Sequence, residues 1–164
     1  ALGLELSGRP FLWVVRPDLT SGAESSYPTG FVDRVAGRGR MVEWAPQQRV
    51  LAHPSVVCFL SHCGWNSTME GVTNGVPFLC WPYLFDQPLN RDYICDSWRT
   101  GLGLTADEEG FVTKEEIRTK LDALLGDEGI RKRAVQLKEA ALRNVEPGGA
   151  SYENFRKVVE IMKG

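Results

Sequence analysis

A chain of 164 residues is long enough for one domain, and its 43% apolar content excludes a disordered tail. The formal net charge of −2, without any block of Lys and Arg, argues against nucleic acid or an anionic membrane surface as partner. No apolar run approaches the roughly 18–20 residues that span a bilayer, and no signal peptide opens the chain.

The sequence begins at Ala1, within what reads as a helix, so a fragment or processed product is expected. Ala1–Leu6 is the end of that helix, closed by Ser7 and Gly8. Phe11–Val15 is a short continuous apolar run between Pro10 and Pro17, the pattern of a strand buried on both faces. Pro17 to Gly30, rich in Ser, Gly and Pro, is expected to be a surface loop. Strands then alternate with helices. Phe31–Ala36 is a helix and Met41–Trp44 a strand; Gln47–Leu51 is a helical turn and Val56–Leu60 a strand. Asn66–Thr73 is a helix, Pro77–Trp81 a strand, Pro88–Trp98 a helix and Gly101–Thr105 a last strand. Such alternation predicts an α/β fold with a parallel sheet flanked by helices.

The last third is helical. Thr113 and Glu116 have the spacing of a capping box before Ile117, Leu121 and Leu124. Ile130–Asn144 is a second helix, whose charged stretch Arg131–Lys138 reads as a solvated face. Ser151, after Pro147-Gly148-Gly149, is the expected cap of a final helix over 151–164, with Phe155, Val158, Val159 and Met162 on one face. The four cysteines (Cys58, Cys63, Cys80, Cys95) form no Cys-x-x-Cys pair, and with two histidines they argue against a zinc site. Cys58 and Cys80, inside apolar runs, read as buried free thiols of a reducing cytosol.

The chemistry concentrates between Trp44 and Gln87. The strand through Leu60 and Ser61 runs into a turn containing Gly64, and a helix starts near Asn66 and Ser67, both good capping types. A helix N-terminus at a strand's carboxyl end suits phosphate, and His62, Asn66 and Ser67 add donors. An ordinary capped helix with a core histidine stays open as the alternative. Glu70, one turn on, would repel phosphate but suits a ribose diol that donates two hydrogen bonds. Asp86 and Gln87, again past a strand end, combine acid and amide for gripping sugar hydroxyls. Trp44 offers an indole face for a flat base. Taken singly, these read equally as a core tryptophan or solvated acids. His53, in the His53-Pro54 turn, reads as structural.

Residues 44 to 87 (Trp44-Ala45-Pro46-Gln47, then His62-Cys63-Gly64-Trp65-Asn66-Ser67, then Asp86-Gln87) are similar, without a gap, to the signature box of plant secondary-product glycosyltransferases. Phe11–Arg16 and Asn90–Leu104 also resemble this family. The resemblance implies the C-terminal half of a GT-B fold, Rossmann-like, with residues 1–164 as a single donor-binding domain and the N-terminal acceptor domain absent. It implies that Trp44 stacks on uracil, the Ala45 backbone bonds the base, Gln47 lies near base and ribose, and Glu70 holds the ribose. His62, Asn66 and Ser67 would hold the diphosphate, and Trp65, Asp86 and Gln87 the sugar.

The same resemblance implies UDP-glucose as donor substrate, a small hydroxylated acceptor, no cofactor or metal, and a cytoplasmic enzyme of secondary metabolism. The family's histidine base lies in the missing half, so no catalytic residue is expected in this chain and the chain alone is expected to be inactive. A non-catalytic UDP-sugar-binding fragment is the alternative. A dinucleotide-binding domain is disfavoured, because no strand is followed by Gly-x-Gly-x-x-Gly.

Overall fold

The computed structural model describes residues 1–16 and 27–164; residues 17–26 of the expected loop lie outside them. All the described strands pair in parallel, in two sheets. The first joins β1 (Phe11–Val14) to β2 (Gly39–Val42), with Phe11 opposite Gly39 and Val14 opposite Val42. The second has the order β3 (Phe59–Ser61), β4 (Phe78–Cys80), β5 (Gly101–Gly103).

β1 is not buried on both faces as its composition predicts. Its Phe11 and Trp13 are half-buried, whereas Leu12 and Val14 are exposed. One face is covered by α2 (Phe31–Val35), whose Phe31 ring meets Trp13 edge-on with centroids 6.2 Å apart. Among the described residues the continuous apolar run therefore overstates the burial, since α2 covers one face and Leu12 and Val14 on the other are exposed.

β4 is the strand that is buried on both faces. Phe78 and Cys80 join Cys63, Val72 and Ile94 in one core cluster, while Leu79 points the other way into Leu121, Leu124 and Ile130. α4 (Trp65–Asn74) and α7 (Glu128–Val145) supply the first layer and α6 (Lys114–Gly126) most of the second. This is a three-layer α/β/α arrangement around a central strand.

Several boundaries differ from the sequence pattern. The helix expected over Pro88–Trp98 is α5 (Gln87–Asp92) followed by a π-helical turn, Tyr93–Ser97. The capping box is half formed. The Thr113 hydroxyl accepts from Glu116 N (3.1 Å), but the Glu116 carboxylate reaches Thr105 N (2.9 Å) and ties α6 to the end of β5. The final helix, α8 (Ala150–Lys163), is capped by Gly149 rather than Ser151, which lies inside the first turn. Its Phe155, Val158, Ile161 and Met162 are exposed. The four cysteines are free; Cys80 is buried as expected, whereas Cys58 is only half-buried, though loss of hydration still pushes its thiol up to about 12. Among the described residues no helix is long and apolar enough to cross a membrane.

Gly71 on α4 is where helix meets strand, because a Cβ there would enter the Phe78 ring. Gly71→Ala should therefore cost about 1–3 kcal/mol through overpacking. Urea unfolding checks this, and an unchanged midpoint would disprove the close contact.

Candidate functional site

The β3–α4 turn is built around a left-handed residue. Cys63 has φ of 65°, a region costing a non-glycine residue on the order of 1 kcal/mol or more. Hydrogen bonds hold it there. Ser61 Oγ accepts from Cys63 N at 3.0 Å, Cys63 Sγ donates to Ser61 O at 3.5 Å, and Asn90 Nδ2 donates to Cys63 O at 2.9 Å. Ser61 and Cys63 are both buried. Gly64 follows as the helix cap in extended conformation, and a Cβ there would lie 2.5 Å from His62 Nε2. The glycine is thus the space that lets the His62 ring fold over the turn. His62 itself is exposed, with its ring 6.4 Å from that of Tyr83.

Asn66 and Ser67 are not the caps that their residue types suggest. α4 starts at Trp65, so they occupy its second and third positions, and neither side chain caps the helix. The first bond of the turn runs from Thr68 N to Gly64 O at 2.9 Å. The N–H groups of Trp65, Asn66 and Ser67 therefore precede the helical ladder and carry the positive end of the helix dipole. An anion is the natural partner of such a terminus.

Beside it, the expected ribose and base residues come together. Gln47, the first residue of α3 (Gln47–Leu51), donates through Nε2 to Ser67 Oγ at 2.9 Å and to Glu70 Oε2 at 2.6 Å. Gln48 Nε2 approaches the other Glu70 oxygen at 3.4 Å. One amide thus orients a hydroxyl and a carboxylate one turn apart on α4, where the carboxylate can accept hydrogen bonds from a diol. Trp44 stands just ahead of α3 and is 75% exposed; β2 stops at Val42, so the indole sits in a loop rather than at a strand end. Ala45, in the same loop, is half-buried, and Trp65 is exposed.

The third group lies beyond β4. Asp86 is the cap residue of α5, and its Oδ2 accepts from Asn90 Nδ2 at 2.7 Å. Gln87 is 6% exposed, and its Oε1 accepts from both Tyr83 N and Leu84 N at 3.0 Å. The amide oxygen thus closes its own turn, and of the two ends of the Gln87 amide only Nε2 is without a partner among the described residues. The turn needs this closure because Phe85, 91% exposed, has a positive φ of 54°. Asn90 and Tyr83 were missed from the sequence. Asn90 was legible in principle as an amide one helical turn after Asp86, whereas Tyr83 had no such signal. His53 keeps the expected turn role, its Nδ1 accepting from Ser55 N at 3.2 Å.

Comparison with known proteins follows this geometry. Residues 1–147 match the family described as UDP-glucoronosyl and UDP-glucosyl transferase. UDP-glycosyltransferase 83A1 of Arabidopsis thaliana is 45% identical over 164 residues, covering 99% of this chain and 33% of that protein. Myricetin 3-O-rhamnosyltransferase UGT77B2 of Crocosmia x crocosmiiflora is 44% identical over 167 residues, covering 100% of this chain and 35% of that protein. Among solved structures, Phytolacca americana UGT2 complexed with UDP-2fluoro-glucose and pterostilbene matches with a TM-score of 0.90 and 39% identity, over 99% of this chain and 37% of that one. The chain spans about a third of the length of the relatives it matches.

The Gly64 contact is testable without any ligand. Gly64→Ala should turn the His62 ring away, read as displaced His62 ring signals in NMR spectra. Stability should fall by only about 1 kcal/mol, for the poorer cap. Unmoved His62 signals would contradict the packing.

Proposed function

This chain belongs to the UDP-glucoronosyl and UDP-glucosyl transferase family, and we propose that it holds the donor UDP-glucose at the carboxyl ends of its strands. In the complete enzyme, glucose would pass to a hydroxyl of a small-molecule acceptor with inversion. The acceptor oxygen bonds to the anomeric carbon as the bond to UDP breaks on the opposite face, and a base takes the hydroxyl proton. The observation that carries the reading is the Gln47–Ser67–Glu70 cluster on the first turns of α4, beside the uncommitted N–H groups of its N-terminus.

In this proposal the exposed Trp44 indole stacks on uracil, the Ala45 backbone pairs with the base, and Gln47 lies at the base and ribose. Glu70 accepts from the ribose hydroxyls. The diphosphate meets the α4 terminus, His62, Asn66 and Ser67, which neutralise its charge without a metal. Trp65, Asp86 and the Gln87 amide nitrogen face the sugar. Two supports stand beside the cluster: the described fold is the C-terminal half of a GT-B enzyme, and the Phytolacca relative carries a UDP-2fluoro-glucose. Neither histidine here serves as the base: His62 is given to the diphosphate and His53 is tied into its turn. The acceptor pocket and base are therefore assigned to the other half of the enzyme, and the 164-residue chain alone is expected to bind without turnover.

Trp44→Ala should weaken UDP binding by about 1–3 kcal/mol, the range of base–aromatic stacking. Glu70→Gln, which keeps shape but loses charge, should lower UDP-glucose affinity while leaving the melting temperature in place. Calorimetry and thermal melts read both; unchanged affinity in either variant removes that residue from the site. Donor choice is decided by competition on the complete enzyme, where UDP-glucose should exceed UDP-galactose and UDP-glucuronate in kcat/KM. A win by either alternative refutes the assignment of Asp86 and Gln87.

A further inference from the structure

Asn90 is only 4% exposed, and its amide nitrogen makes two hydrogen bonds. One goes to Cys63 O at 2.9 Å, the other to Asp86 Oδ2 at 2.7 Å. The main-chain carbonyl can only accept, as can the ionised carboxylate, so the orientation of the amide is fixed: nitrogen toward both. The two acceptors belong to different parts of the site. Cys63 is the left-handed residue of the turn that leads into α4, and Asp86 begins α5.

We propose that Asn90 is a positioning residue for the donor sugar: by bridging the Cys63 carbonyl and the Asp86 carboxylate, it sets the sugar-facing acid relative to the N-terminus of α4. This rests on the donor assignment given above. The need for such a bridge follows from the elements themselves. α5 has six residues and passes straight into a π-helical turn, so its own ladder fixes little. Asp86 is exposed, and a carboxylate held by no neighbour would rotate freely. With Oδ2 engaged by Asn90, Oδ1 is aimed at one direction for an incoming hydroxyl. The phosphate side and the sugar side of one donor molecule are then held at a fixed separation by a single amide, which is preorganisation of a binding site.

The discriminating quantity is the gain in affinity of UDP-glucose over UDP, measured on the 164-residue chain by calorimetry or ligand-observed NMR. Asn90→Ala and the isosteric Asn90→Asp should reduce that gain about tenfold, the effect of losing a hydrogen bond to a charged group. In an Asp86→Ala background, Asn90→Ala should change it by less than about twofold, because the two residues act as one unit. If UDP and UDP-glucose weaken equally, or if the effect persists undiminished without Asp86, Asn90 is merely structural and the proposal fails. Should both variants unfold, the wild-type chain still decides: the Asn90 side-chain NH2 signal should respond to UDP-glucose beyond its response to UDP, and an identical response overturns the idea. A wild-type chain that binds neither ligand refutes the donor assignment itself, a distinct outcome from sound binding that ignores residue 90.

Discussion

The left-handed conformation of Cys63 is the constraint on which the β3–α4 turn and the helix terminus behind it rest. A strand that ends at Ser61 must reverse sharply for α4 to begin at Trp65 with its free N–H groups beyond the sheet edge. Only a positive φ makes the reversal that short. A cysteine adopts it at a cost, and the structure meets that cost with polar bonds from Ser61 and Asn90 and with complete burial of the residue. The same sulfur packs with Phe78, Cys80 and Ile94, so the turn is anchored in the core cluster of the central strand. Strain at the site and packing beneath it are one arrangement, and a change in β4 would be felt at the helix terminus.

That coupling explains which parts were legible in the sequence. β4 is legible in the sequence as a strand, and its apolar run without alternation suits the helices that cover both of its sides. β1 carries the same signal, yet it alternates between half-buried and exposed, because the covering layer on its second side is not formed by the described residues. Periodicity reports what a strand would bury, and tertiary neighbours decide what it does bury. The caps show the same limit. Asn66, Ser67 and Ser151 have capping chemistry, but each helix starts one or two residues earlier behind a glycine in extended conformation, where a Cβ would meet His62 (at Gly64) or the Arg143 and Asn144 carbonyls (at Gly149).

The site residues were legible as chemical types, while their hydrogen-bond commitments were not. Nothing in the sequence says that Gln47 rather than a ligand would satisfy Glu70, or that the Glu116 carboxylate would leave its box for Thr105. Those choices follow from the placement of α3 against α4 and of α6 against β5. The Gln47–Ser67–Glu70 cluster is nonetheless consistent with a preformed binding surface. Its members are already oriented by one amide, so a diol need only insert its hydroxyls among groups whose rotamers are set.

Sugar choice follows from the same distinction between residue type and commitment. A relative named as a rhamnosyltransferase is 44% identical to this chain, so overall similarity does not name the donor sugar. The discrimination must come from a few groups and their geometry. A free glutamine amide could grip adjacent hydroxyls with both of its ends, but the Gln87 oxygen is already closed onto Tyr83 N and Leu84 N. Only the nitrogen is left, and a donor alone cannot distinguish the two senses in which neighbouring hydroxyls can point. Under the proposed donor assignment the acceptor would be Asp86, whose Oδ2 is held by Asn90 Nδ2. On this argument selectivity is a property of the Asp86–Gln87–Asn90 group: one fixed donor and one fixed acceptor at a set spacing. An equatorial pair of hydroxyls can meet both, whereas an axial hydroxyl leaves one partly buried group without a partner, which is the costly case for any polar atom removed from water.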